Sequence, residues 1–202
     1  ERMYKAAYGD ATGASTFGGV HTLAVPIIRF NEFLPDTQQI GQGVIVGQTG
    51  WEAVLEANKR SFAFQFVQRA RFITALPTTM TPAQFVDRLF LNAGVTPSAT
   101  DRNAAIAEFG PVTNTTDVEG RARALRDVAE NATLTTQEFN RAFVLMQYIG
   151  YLRRNPNDPQ DNDYTGYDFW LTKLNQFNGN FNAAEMVKAF ITSVEYRQRF
   201  GP

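Results

Sequence analysis

From residue 157 to 166 the chain reads Asn-Asp-Pro-Gln-Asp-Asn-Asp-Tyr-Thr-Gly. Asp161, Asp163, Thr165 and Gly166 fall at positions one, three, five and six of a calcium loop of the EF-hand type. Hard oxygen donors at alternate positions suit that cation. Asp158 and Asp168 stand close enough in sequence to complete the ligand set. The register then breaks, because Thr172 occupies position twelve, where a bidentate Glu closes such a loop. The plainer reading is a solvated turn whose Thr165 and Asp168 cap the next helix. That reading is preferred and needs no cofactor; Ca2+ is the ligand of the alternative.

Two further groups flank this turn. Tyr151, Tyr164, Tyr167 and Trp170 are ring-bearing residues of the kind on which sugars stack, with Asp and Asn at hand for hydroxyl groups. Against a glycan platform stands the ordinary use of a helical Trp as a core anchor. Arg153 and Arg154 suit bidentate recognition of an anionic partner. More commonly such residues pair with nearby carboxylates or with the last carbonyls of a helix.

Catalytic chemistry finds little support. His21 is the single histidine and Cys is absent, which removes thiolate catalysis, disulfides and Cys-based metal sites. No Gly-x-Ser-x-Gly elbow, phosphate loop or His-x-x-x-His pair occurs. No catalytic residues are assigned; a hydrolase built on a carboxylate pair is the only enzymatic route left open. A net charge of −1 supplies no global field for nucleic acid, and Arg121, Arg123 and Arg126 read as a solvated helix face. No apolar run approaches the roughly 18 residues of a membrane span, so membrane insertion is not expected. The chain opens at Glu1 inside a helical pattern, which suggests a piece of a longer protein.

The elements that must position these residues are helices. At 202 residues, with 44% hydrophobic content and 17 Phe, the chain can bury a sizeable core. Seven segments place an acidic or amide residue three after a hydroxyl or Asn, the pattern of a helix-opening box: Thr81 with Gln84, Thr135 with Glu138, Asn182 with Glu185, Thr49 with Glu52, Ser98 with Asp101, Thr116 with Glu119, and Thr165 with Asp168. Pro82 strengthens the first of them. Apolar spacing agrees. Phe139, Ala142, Phe143, Met146 and Ile149 form one helical stripe, expected to face the core. Phe85, Val86, Leu89 and Phe90 begin a second; Trp170, Leu171, Leu174 and Phe177 make a third; Met186, Val187, Phe190 and Ile191 make a fourth.

Residues 9–50 differ. They are rich in Gly and Thr and read as a long irregular insertion with little helix and room for a short β-hairpin, residues 41–47 being the segment with extended character. A degenerate repeat also emerges: Gln65-Phe66-Val67-Gln68-Arg69 with Phe72, Glu138-Phe139-Asn140-Arg141 with Phe143, and Glu195-Tyr196-Arg197-Gln198-Arg199 with Phe200. The expected architecture is mostly α: a compact multi-helix bundle in one domain, with sub-repeats of about 1–76, 81–134 and 135–201.

Residues 139–200 resemble the bacterial domain-of-unknown-function 4214 family. The resemblance rests on Tyr151-Leu152-Arg153-Arg154-Asn155-Pro156, on Gly166-Tyr167-Asp168-Phe169-Trp170, on the helix stop Asn178-Gly179, and on Ser193-Val194-Glu195-Tyr196. It weakens upstream, where Phe85 to Phe109 looks like a decayed copy lacking the Trp. A remoter likeness is to the helical linker domains of phycobilisomes. The resemblance implies an α-helical module within long bacterial proteins of the cell surface or extracellular space, with no established activity. The expected function is a structural or interaction module that binds another protein or a second copy of itself. A calcium- or carbohydrate-binding accessory module is the alternative.

Overall fold

The computed structural model describes residues 1–201, which form eleven α-helices, one π-helical turn and a two-stranded sheet. The mostly α expectation holds. No helix among the described residues is long and apolar enough to cross a membrane. The described residues divide into two compact units, one of residues 1–9 and 31–136, the other of 10–30 and 137–201.

The regular elements of the first unit are all helices. It contains α1 (Arg2–Tyr8), α2 (Phe30–Gly41, all but its first residue), α3 (Trp51–Phe66), α4 (Ala70–Ala75), α5 (Pro82–Ala93), α6 (Ala99–Ala107) and α7 (Val118–Ala129). The short α1 is the centrepiece and packs against α5 and α7, while α3 and α6 also lie on α7. Phe enrichment has a structural cause here. Tyr4, Phe66, Phe72, Phe85 and Phe109 form a chain of ring contacts with successive centroid separations of 4.9, 5.6, 6.1 and 5.5 Å. Edge and tilted contacts of this kind add to area burial. Arg121 is 1% exposed and lies over the rings of Phe72 and Phe85. Its guanidinium donates to the Thr115 hydroxyl and carbonyl and to the Leu76 carbonyl. The expected solvated face of α7 is therefore wrong at Arg121, whose cationic head ties two loops to the core.

Residues 9–50 also depart from expectation. Residues 30–41 are helical despite Pro35, because tertiary contacts outweigh a local helix breaker. Asp36, only 8% exposed, accepts from both terminal nitrogens of Arg69 and from the Tyr4 hydroxyl. Residues 41–47 are not extended. They fold into turns, with Asn58 donating to the carbonyls of Ile40 and Gln42. The hairpin lies earlier, in the second unit.

That hairpin pairs β1 (Ala11–Ser15) with β2 (His21–Val25), in a register running from Ala11 opposite Val25 to Ser15 opposite His21. The second unit adds α8 (Ala132–Gln147) from Gln137 onward, the π-helical turn Tyr148–Leu152, α9 (Thr165–Gln176), α10 (Met186–Ile191) and α11 (Val194–Phe200). Its α8 face is a second correction. Phe139 and Met146 are 60% and 51% exposed, so two of the five positions of the expected core stripe point outward, whereas Ile149 is buried. The buried row is Val144, Leu145, Tyr148, Ile149 and Leu152. Two apolar rows compete on this helix, and the π-helical turn brings the second one inward.

Helix starts follow the boxes only partly. Thr81 forms the full reciprocal box with Gln84, and Ser98 accepts from the Asp101 amide. Asp117, one residue past the expected Thr116, caps α7. Asn131 caps α8, accepting from the amides of Thr133 and Leu134, and leaves Thr135 inside the helix. Gly50 and Glu185, rather than Thr49 and Asn182, precede α3 and α10, without side-chain caps. Where several Ser, Thr, Asn or Asp lie within one turn, each is a competent cap and packing selects among them.

Candidate functional site

The acidic turn joins the π-helical turn to α9, inside the second unit. Arg153 ends the π-helical turn in a left-handed conformation, φ 55°, and its side chain is exposed. That reversal sends Arg154 inward to 7% exposure. Its Nε and Nη2 fork onto Glu195 at 2.7 and 2.9 Å, and Nη2 also reaches Asp161 at 2.6 Å. Nη1 donates to the carbonyls of Asn155 and Pro156, and the guanidinium lies 5.3 Å from the Tyr148 ring centre. One side chain thus closes the turn, neutralises an acid in it and anchors α11.

The remaining acids are held separately. Asp158 accepts from the Asn155 amide and side chain at 2.8 and 2.7 Å, and pairs with Arg29 at 3.2 Å. Asp163 accepts from the amide and hydroxyl of Thr165 at 2.8 and 3.0 Å. Asp163 therefore does the local capping expected of Thr165, which is the first residue of α9. Asp168 turns to the hairpin, accepting from the Ser15 hydroxyl at 2.7 Å and lying 3.1 Å from His21 Nε2. Thr165 receives the Thr16 amide at 2.9 Å. Of the five oxygen-bearing residues of the calcium reading, Asp163 and Thr165 bond to each other, while Asp158, Asp161 and Asp168 turn to Asn155 and Arg29, to Arg154, and to Ser15 and His21. Among the described residues no group of three or more His, Asp or Glu side chains has a metal-holding arrangement.

The rings are placed differently from one another. Tyr167 is fully buried and donates to the Arg141 carbonyl at 3.1 Å. Tyr164, 7% exposed, receives a hydrogen bond from Arg29 at 3.0 Å, and burial raises its pKa above the usual tyrosine value. Neither offers a ring face to solvent. Trp170 is half-buried between Phe169 and Phe190, with centroids 5.0 and 5.6 Å away and Lys173 at 5.2 Å. Tyr151 meets Tyr196 edge-on at 6.1 Å.

What remains open beside the turn is a shallow groove of about 490 Å³ lined by Thr16, Phe17, Asp161, Asp163, Thr165, Gly166 and Phe169. Phe17 and Phe169 meet at right angles, 5.4 Å between centroids. Sequence reasoning did not find Ser15, Thr16, Phe17, His21 or Arg29 as neighbours of this turn. They lie more than 125 residues upstream, and no local motif marks them. Glu195 did carry a signal, within the Ser-x-Glu-aromatic segment. Comparison of the chain with protein-family models, with curated proteins and with solved structures finds no match.

Proposed function

We propose that this chain is a non-catalytic structural and interaction module of a bacterial cell-surface or secreted protein, acting by recognition of protein surfaces. One observation carries the reading. The polar side chains best suited to chemistry are spent on internal bonds, whereas a helix face bearing Phe139 and Met146 is left open to solvent. Clustered large apolar side chains at a surface mark sites of association. The bacterial surface setting rests on the resemblance of residues 139–200. The test is photo-crosslinking from position 146 in the producing bacterium. A protein adduct is expected; adducts to glycan alone, or none, overturn the reading.

The groove beside the turn favours a second reading, a carbohydrate-binding accessory module. Ring faces flanked by carboxylates and hydroxyls match the needs of a sugar, with Phe17 and Phe169 in place of the Tyr and Trp set. A glycan array settles it. Binding must occur and must be lost in Phe169→Ala; otherwise this reading falls.

A further inference from the structure

We infer that the outward face of α8, together with the segment from Asn175 to Asn182, is an interface for a second copy of this chain; the inference rests on the protein-recognition reading above. The two parts form one surface. Asn140 donates to Asn175 at 2.8 Å, and Phe143 stacks on Phe181 with centroids 5.0 Å apart. Phe139, Met146, Phe177 and Phe181 are 60, 51, 41 and 38% exposed. At roughly 200 Å² for a large side chain, these four present about 350–400 Å² of apolar surface. A standard interface takes about 800 Å² from each partner, a little over half of it apolar. The patch therefore has the size of the apolar centre of such an interface.

The rim identifies the occupant. The stretch Asn-Gln-Phe-Asn-Gly-Asn-Phe-Asn, residues 175–182, carries no charge. Asn and Gln side chains each donate and accept, so an amide rim is complementary to an identical rim. In a two-fold interface the same patch meets itself, and a face with one sign of charge would meet its like. An uncharged apolar centre within an amide border avoids that repulsion. Within residues 175–182 a partner chosen by charge finds nothing to read.

Sedimentation equilibrium of the purified chain, from micromolar to millimolar concentration, tests the inference. A reversible dimer is expected. Phe139→Glu and Phe181→Glu should each weaken it at least tenfold, and Leu91→Glu, on an exposed position of α5, should leave it unchanged. Phe139 is exposed enough to take Glu without loss of fold, which thermal melting checks; Met146→Gln serves as a milder variant. A strict monomer, or a dimer indifferent to Phe139, Met146 and Phe181, overturns the inference. Crosslinking in cells judges the broader reading separately: a monomer in solution with adducts to a different protein sinks only the self-interface.

Discussion

Gly166 lies against the hydroxyl of Tyr148: a Cβ added at Gly166 would stand 2.5 Å from the phenolic oxygen. Tyr148 cannot easily retreat. It is 3% exposed, with Phe190 edge-on at 5.1 Å and Arg154 over its face. Gly166→Ala should therefore destabilise the second unit by about 1–3 kcal/mol, the usual cost of overpacking. That exceeds the roughly 0.5–1 kcal/mol an Ala gains over Gly in a helix. Adding Tyr148→Phe, which removes the obstructing oxygen, should recover much of the loss. Urea unfolding of the four chains of this cycle measures the coupling, and simple additivity would refute the contact.

Arg154 should be the most sensitive polar position of the second unit. Its loss leaves Glu195, whose side chain is 11% exposed, to the longer contact with Arg199 at 3.4 Å, and strips a donor from the turn carbonyls. Removing one partner of a buried pair costs about 3–5 kcal/mol. Arg154→Lys should rescue little, since an ammonium cannot supply the fork. Arg153→Ala, at the exposed neighbour, should change the denaturation midpoint far less.

The starts of α5 and α8 make a paired test. Thr81→Ala removes a formed capping box and Asn131→Ala the cap of α8, each at about 1 kcal/mol. Thr135→Ala should cost little, because Thr135 sits inside the helix, where Ala is the better former. Thermal melts of the three variants check the order. A Thr135→Ala loss equal to that of Asn131→Ala would restore the later helix start.

Acid should favour the first unit through Asp127. This residue borders a groove of about 520 Å³ shared with Glu56, Glu108, Glu130 and Arg126. Desolvation, then the Glu108 and Glu130 carboxylates, push its pKa up to about 6, against opposing pulls from Arg126 and Arg123. An unfolded aspartate titrates near 3.9. The folded state thus holds the proton more tightly, and this contribution is full below about pH 4 and fades as pH rises to about 6. Asp127 stands at an exposed position, so solvent and salt reduce the effect. Asp127→Asn should gain stability over the parent as pH rises from about 4 to 7, more at low salt. A gap that stays constant across that range would dismiss the effect.

Much of the helical content follows from local chemistry that needs no partner. The Thr81 box with Pro82, the Ser98 cap and the apolar stripe of α5 act within one or two turns, so the residues alone determine them. Other features were legible only as alternatives. Along α8 and the π-helical turn two apolar rows overlap, and periodicity cannot choose between Phe139 with Met146 and Leu145 with Tyr148; the second is buried where the π-helical turn packs against α10 and α11. The acidic turn shows the same limit. Spacing placed Asp161, Asp163, Thr165 and Asp168 at a calcium register, but spacing reports distance along the chain and not the donors that arrive from elsewhere. Arg29, Ser15, Thr16 and His21 reach the turn only after the hairpin docks on α9. The sequence by itself determined that the protein would be helical and that this turn would be rich in acids. Only the tertiary structure decided which donor each of those acids holds, because a carboxylate's role is set by the donor nearest in space.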